Sequence, residues 1–185
     1  MSVQKIIFTG PVGAGKTTAI NVLSDIDTVS TETGATDETR DRKDQTTVAM
    51  DFGRVALSGG ASIHLYGTPG QERFDFMWDI LVEGAIGLVL LVDNSRPDPM
   101  KDLRFFATAF REFIDQTAVV VGVTRSDLAP VPIPEDYQRE LSMLGLDSIP
   151  IFEVDARSRR DVVLLIEALL CSLDPMAEAE EAVSL

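Results

Sequence analysis

Basic residues, cysteine and histidine are all scarce in this chain of 185 residues. Lysine and arginine number 16 against 30 aspartates and glutamates, for a formal net charge of −14. That balance argues against a nucleic-acid-binding surface, which normally carries a basic patch. It argues equally against electrostatic attachment to anionic lipid. A basic partner surface would suit the chain, and a solvated acidic exterior is the simpler reading. Cys171 is the one cysteine, which excludes an internal disulfide and a cysteine-based zinc site. It sits in an apolar helical stretch, so a buried structural thiol is expected. His64 is the one histidine, between Ile63 and Leu65. Nothing at motif spacing supports a general base, and a structural or surface role is expected. No apolar run is long enough to span a bilayer, and no secretory pattern precedes the first strand. Ser2 stands where myristoylation needs glycine, and the last four residues hold no cysteine for prenylation. The expectation is a cytoplasmic protein with no intrinsic membrane anchor.

What is present centres on Gly10-Pro-Val-Gly-Ala-Gly-Lys-Thr17. This fits G-x-x-x-x-G-K-S/T, the phosphate-binding loop of P-loop NTPases. Gly10, Gly13 and Gly15 can take backbone conformations that a Cβ would obstruct. Successive N–H groups, Ala14 among them, can then turn inward as an anion nest. The next helix, with Thr18 in its first turn, points its positive end at the same phosphates. Lys16 is expected to reach the β- and γ-phosphates, and the Thr17 hydroxyl to bind Mg²⁺. Context supports the motif, because residues 3–8 read as a strand and residues 17–23 as a helix.

The rest alternates strand and helix, the signature of α/β architecture. Residues 24–46 are polar and without apolar period, as in a functional or disordered loop. Val48, Met50 and Phe52 then alternate as in a strand. The apolar positions shift to Val55 and Leu57, which reads as a bulge at Gly53. Ser58-Gly59-Gly60 signals a hairpin turn, with residues 61–66 as the returning strand. Residues 67–78 form a turn-rich loop entering a short helix. Residues 85–92 and 118–123 are buried strands. Asp98-Pro99 starts a helix striped by Leu103, Phe106, Phe110 and Phe113. Pro130 and Pro134 bound a stiff loop, and Tyr137, Leu141 and Leu144 mark a helix stopped by Gly145. Residues 149–154 are the last strand. A capping box at Ser158 and Asp161 opens the final helix, which Pro175 ends.

Three later segments follow strands in a telling order: Gly67-Thr-Pro-Gly-Gln-Glu-Arg-Phe74, Thr124-Arg-Ser-Asp127 and Asp155-Ala-Arg157. With the P-loop they make the chain resemble the Ras, Rab and Arf small GTPases over roughly residues 3–173. The resemblance looks closest to the bacterial MglA-like branch, which includes GTPases encoded beside Roadblock-domain proteins. It implies GTP or GDP and Mg²⁺ as cofactors and a Roadblock/LC7-type regulator as partner, with the effector unknown. Asp127 would accept hydrogen bonds from guanine N1–H and the 2-amino group. Adenine lacks both donors and would leave a carboxylate unpaired. The Ala156 N–H would face guanine O6, with Arg157 beside it. The family usually has Asn where Thr124 stands and Lys where Arg125 stands. Thr124 is shorter and braces the P-loop less well; Arg125 can still lie against the base. Thr47, with Thr46 as fallback, would bind Mg²⁺ from the first switch. Gly70 would offer its N–H to the γ-phosphate, and Gln71 would orient the attacking water. Met77 and Trp78 are either partner contacts or core.

Two positions depart from the family. Gly67 stands where Ras, Rab and Arf proteins have an aspartate that holds a Mg²⁺-bound water, so weaker metal affinity is expected. Val12 stands where most Ras-like loops have a small residue. Several MglA-like proteins supply an arginine just before the switch threonine; here that place is Thr46, with Arg42 and Lys43 earlier. The expectation is a doubly wound α/β G domain over residues 1–174, with a mostly parallel sheet and one antiparallel strand. An acidic tail follows over residues 175–185. Catalysis would rest on Gln71, Lys16 and Thr47, and metal binding on Thr17 and Thr47. A nucleotide-dependent switch with slow GTP hydrolysis is the first reading. A pseudo-GTPase that holds nucleotide without turnover is the second.

Overall fold

The computed structural model describes residues 3–30, 50–70 and 78–173. The proposed roles of Gln71, Thr47, Thr46, Arg42, Lys43 and Met77, and the tail over residues 175–185, lie outside those residues.

One sheet runs through the molecule, in the order β2-β3-β4-β1-β5-β6-β7. The strands are β1 (Val3–Thr9), β2 (Val29–Ser30), β3 (Asp51–Ala56), β4 (Ser62–Gly67), β5 (Gly87–Asp93), β6 (Ala118–Thr124) and β7 (Ile151–Val154). β1 pairs in parallel with β4 on one side and β5 on the other. β3 alone runs against its neighbours, as the hairpin requires. The mostly parallel sheet with one antiparallel strand is therefore present. β1 lies where the strand order reverses, and in doubly wound folds the crevice at such a point is the binding site. The P-loop leaves the carboxyl end of that strand.

Every residue of β5 and β6 is buried, which explains their unbroken apolar sequence. Helices α1 (Lys16–Leu23) and α6 (Arg159–Leu173) cover one face. Ile6, Phe8, Ile20, Leu65, Leu91, Val120 and Leu165 meet there. On the other face lie α2 (Trp78–Val82), α3 (Pro99–Ala109), the single turn α4 (Arg111–Ile114) and α5 (Pro134–Met143). Trp78 is core on that side: it is 3% exposed and its ring stacks on Phe110 at 4.9 Å. Fully burying a side chain such as Ile20 contributes about 1.5–3 kcal/mol, so each helix is held chiefly by its apolar stripe.

Local signals fix the ends. Asp98 accepts from the Lys101 N–H at 2.9 Å ahead of Pro99. Gly145 takes φ 71° just past α5. At α6 the Asp161 N–H reaches the Ser158 hydroxyl at 3.4 Å. The Asp161 carboxylate turns to the Asp155 N–H at 2.9 Å, which ties the helix start to the loop after β7.

Three expectations are corrected. The β3–β4 register is continuous through Gly53, opposite Leu65, so there is no bulge. The apolar shift arises because Asp51, Gly53 and Val55 face α1 while Phe52 lies on the other face against His64 and Tyr66. A Cβ on Gly53 would come within 2.8 Å of Ile20 Cγ2, so the glycine lets α1 pack close. The polar segment after α1 is not loop throughout. Asp25 donates its N–H to Arg54 O at 2.8 Å, and β2 then pairs with β3. Cys171 is exposed rather than buried, because the inward stripe of α6 is Val162, Leu165, Ile166 and Leu169.

Candidate functional site

The P-loop turns sharply out of β1. Gly10 takes φ 135°, and a Cβ there would overlap the Leu91 carbonyl. Gly15 takes φ 98° and caps the start of α1, where a Cβ would meet Ala156 Cβ at 2.8 Å. The loop can thus lie directly against the segment after β7. Lys16 is 8% exposed, and its Nζ donates to Gly10 O at 2.7 Å and Pro11 O at 2.8 Å. A phosphate would compete with those carbonyls for the same ammonium.

The loop after β4 lies on the P-loop. The Thr9 and Thr68 hydroxyls share a buried hydrogen bond of 2.8 Å, and Thr68 N–H donates to Phe8 O at 2.9 Å. Gly70 follows so closely that a Cβ would sit 2.5 Å from Val12 N and 2.8 Å from Lys16 Nζ. Gly70 and Lys16 are thus brought together at the place where a terminal phosphate is expected. Val12 is 55% exposed on the same loop. The Arg96 guanidinium reaches the Val12 carbonyl at 3.5 Å while paired with Asp102.

Thr17 donates its hydroxyl proton to Asp51 Oδ2 at 2.5 Å. No motif in the sequence marks Asp51, which lies between Met50 and Phe52. Mg²⁺ takes oxygen ligands and usually keeps several waters beside one or two protein groups and phosphates. Hydroxyl and carboxylate oxygens converging beside the phosphate loop fit that demand. Among the described residues, no three His, Cys, Asp or Glu side chains group as a metal site.

A cavity of about 470 Å³ joins the remaining motifs. Ala14, Gly15 and Thr18 form one wall, Thr124 to Leu128 another, and Asp155, Ala156 and Arg157 a third. Thr124 is 3% exposed, and its hydroxyl reaches Ala14 O at 3.1 Å and Val92 O at 3.2 Å. The shorter side chain therefore does brace the P-loop. Arg125 holds φ 61°, uncommon for a residue with a Cβ. Its guanidinium pairs with Asp93 at 2.7 Å, so only the remainder of the side chain is available to a base. Asp93 also accepts from the Ser95 N–H and hydroxyl at 2.9 and 2.6 Å, which fixes the pair.

Asp127 and Arg157 are exposed at the cavity, and Ala156 is buried. The Arg157 guanidinium and N–H bind the Asp155 carboxylate and hold it below the usual carboxylate range. Ser126 lines the same cavity, and its buried hydroxyl has no partner. A serine between two motif residues carries no signal of its own in the sequence, so Ser126 emerges only from its place in the cavity. His64 lies in the sheet between Phe52 and Tyr66, and no pocket motif reaches it. Tyr137 of α5, fully buried, donates to Asn94 Oδ1 at 2.6 Å, and burial raises its phenol pKa.

No helix among the described residues is long and apolar enough to cross a membrane. The profile of a family described as conserved hypothetical ATP binding protein matches residues 26–179. The match begins after the P-loop and covers the other motifs. An uncharacterized protein of Methanocaldococcus jannaschii is 29% identical over 93 residues, 50% of this chain and 52% of that protein. The matched stretch thus spans about half of that relative. Ras-related protein Rab-27A of Sus scrofa is 26% identical over 90% of this chain and 76% of its own length. Ras-related protein Rab-18-B of Danio rerio is 22% identical over 92% and 78%.

Proposed function

The chain belongs to the family of conserved hypothetical ATP binding proteins, is a P-loop protein related to the Rab proteins, and we propose that it is a guanine-nucleotide switch with slow GTP hydrolysis. The observation that carries this reading is the cavity in which Asp127 and Ala156 share walls with Ala14, Gly15 and Thr18. Guanine offers two donors to a carboxylate and an acceptor to an N–H. Adenine offers neither donor. A site built on hydrogen bonds to one base rejects the analogue that leaves them unmade.

The residues divide the work. The P-loop N–H groups and α1 hold phosphate. Lys16 leaves the Gly10 and Pro11 carbonyls for phosphate oxygens. Thr17 holds Mg²⁺, which supplies neutralisation of the β- and γ-phosphate charge. Gly70 is the γ-phosphate contact, and Thr47 the metal ligand of the first switch. Gln71 orients water. Ordering of the two switch segments by the γ-phosphate is the signal. A Roadblock/LC7-type protein is the regulator we favour, on the sequence resemblance to MglA-like GTPases. It should bind the GTP form better than the GDP form, since a ligand without differential affinity shifts no equilibrium.

A nucleotide-holding module without turnover is the second reading. Val12, exposed on the P-loop beside Gly70, favours it. The deciding experiment identifies the nucleotide that co-purifies and follows its conversion over hours. Guanine nucleotide converted slowly to GDP is expected. Equal affinity for ATP and GTP would end the guanine reading, and GTP unchanged after a day would select the second.

A further inference from the structure

We propose that Asp51 supplies the carboxylate of the Mg²⁺ site, in place of the aspartate that Gly67 lacks. The inference rests on the nucleotide reading above and concerns which strand carries the charge.

Three observations converge. Asp51 is the first residue of β3 and faces Gly67, the last residue of β4, directly across the ladder. A Cβ built on Gly67 would lie 3.1 Å from Asp51 Oδ2 and 3.2 Å from Asp51 Cβ. The Asp51 side chain therefore fills the space that a residue at Gly67 would claim. Its Oδ2 also accepts the Thr17 hydroxyl proton at 2.5 Å. Thr17 is the P-loop residue whose hydroxyl is expected on the metal. A strand residue on the core-facing side is ordinarily apolar, and Asp51 is only 9% exposed. Burying a carboxylate there costs stability unless a donor or cation compensates. The Thr17 hydroxyl is one donor, and a hydrated cation at Thr17 is the partner the carboxylate suits.

The exchange is one rung wide. Gly67 leaves β4 without a carboxylate, and the one on β3 directly opposite accepts from the Thr17 hydroxyl. A side chain at Gly67 and one at Asp51 could not both fit without the neighbours giving way. Loss of the β4 aspartate thus does not remove charge from the metal site. The weaker metal affinity expected from Gly67 alone does not follow.

The test measures release of a fluorescent GDP analogue from the purified full chain as MgCl₂ is titrated against EDTA. Asp51→Asn keeps the shape and should raise the Mg²⁺ concentration giving half-retention by about tenfold or more, the usual cost of losing a group that orients metal ligands. The analogue should still bind in EDTA, since the expected phosphate contacts are the P-loop N–H groups and Lys16 rather than Asp51. Moving the carboxylate back, with Asp51→Gly and Gly67→Asp together, should restore the parental midpoint. A smaller midpoint shift in folded Asp51→Asn overturns the proposal. So does loss of binding in EDTA, which would mark Asp51 as a strand support only. If Asp51→Asn does not fold, the exchanged variant decides alone, by a parental midpoint or its absence. A parent chain that binds no guanine nucleotide under any condition would overturn the nucleotide reading instead.

Discussion

Arg159, in the first turn of α6, donates through Nη1 to the carbonyls of Val22 at 2.8 Å and Leu23 at 2.9 Å. Those carbonyls end α1, where four backbone acceptors lack intrahelical donors. A cation at a helix C-terminus also opposes the negative end of its dipole. The helix that carries the P-loop is thereby tied to the last helix of the fold. Arg159→Ala should lower stability by about 1–2 kcal/mol, from a charged hydrogen bond lost and carbonyls left to water. Denaturant unfolding would measure it, and an unchanged midpoint would show that water replaces the guanidinium without cost.

Base choice should follow Asp127. Asp127→Asn should weaken GTP binding and favour xanthosine triphosphate, whose 2-oxo group needs a donor. A site that loses a base-reading partner commonly changes discrimination by orders of magnitude. Competition against labelled GDP with GTP, ATP and xanthosine triphosphate reads the outcome. An unchanged order of affinities would remove Asp127 from the base site.

Lys16 is tied to Gly10 and Pro11 carbonyls in this structure. Lys16→Ala should abolish tight nucleotide binding while far-UV circular dichroism stays intact, because its bonds to Gly10 and Pro11 lie within the loop and hold no strand or helix in place. Retained affinity in a folded variant would show that the ammonium belongs to the loop's own structure rather than to phosphate.

Val12 stands out from the P-loop beside Gly70. Its side chain should crowd Gln71 and any arginine offered by a partner. Misplacing a positioning group can cost on the order of a hundredfold in rate. Val12→Gly should raise single-turnover hydrolysis, and Gln71→Leu should lower what remains. If neither changes the rate, crowding is not the limit, and the module without turnover is preferred.

The P-loop was legible because strand, glycines, lysine and helix follow one another within twenty or so residues. The buried strands β5 and β6 were legible from their unbroken apolar runs. Asp51 was not, because its meaning lies across the ladder in Gly67 and across a helix in Thr17. Pattern along the chain does not state who stands opposite. The bulge expected at Gly53 failed for a related reason. A shift in apolar phase reports a change of face, and Phe52 with its ring neighbours on the outer side produces that shift without an inserted residue. Cys171 was expected inside because the final helix is apolar, and it lies off the inward stripe of Val162, Leu165, Ile166 and Leu169. Thr124, although shorter than asparagine, still reaches Ala14 O at 3.1 Å.

The turn at Ser58–Gly60 closes the β3–β4 hairpin, and Leu57 N–H meets Ala61 O there at 2.9 Å. It stands about 20 Å from Asp51, at roughly 3.3 Å per strand residue. Yet it sets the reading frame of the ladder. Were β3 to slip by a single position there, every one of its side chains would change face. Asp51 would then join the side of Tyr66, and Phe52 would be driven under α1. The hairpin turn thus acts as a ruler for a site it never touches, and its length is as much a part of the P-loop's surroundings as any residue that meets Thr17.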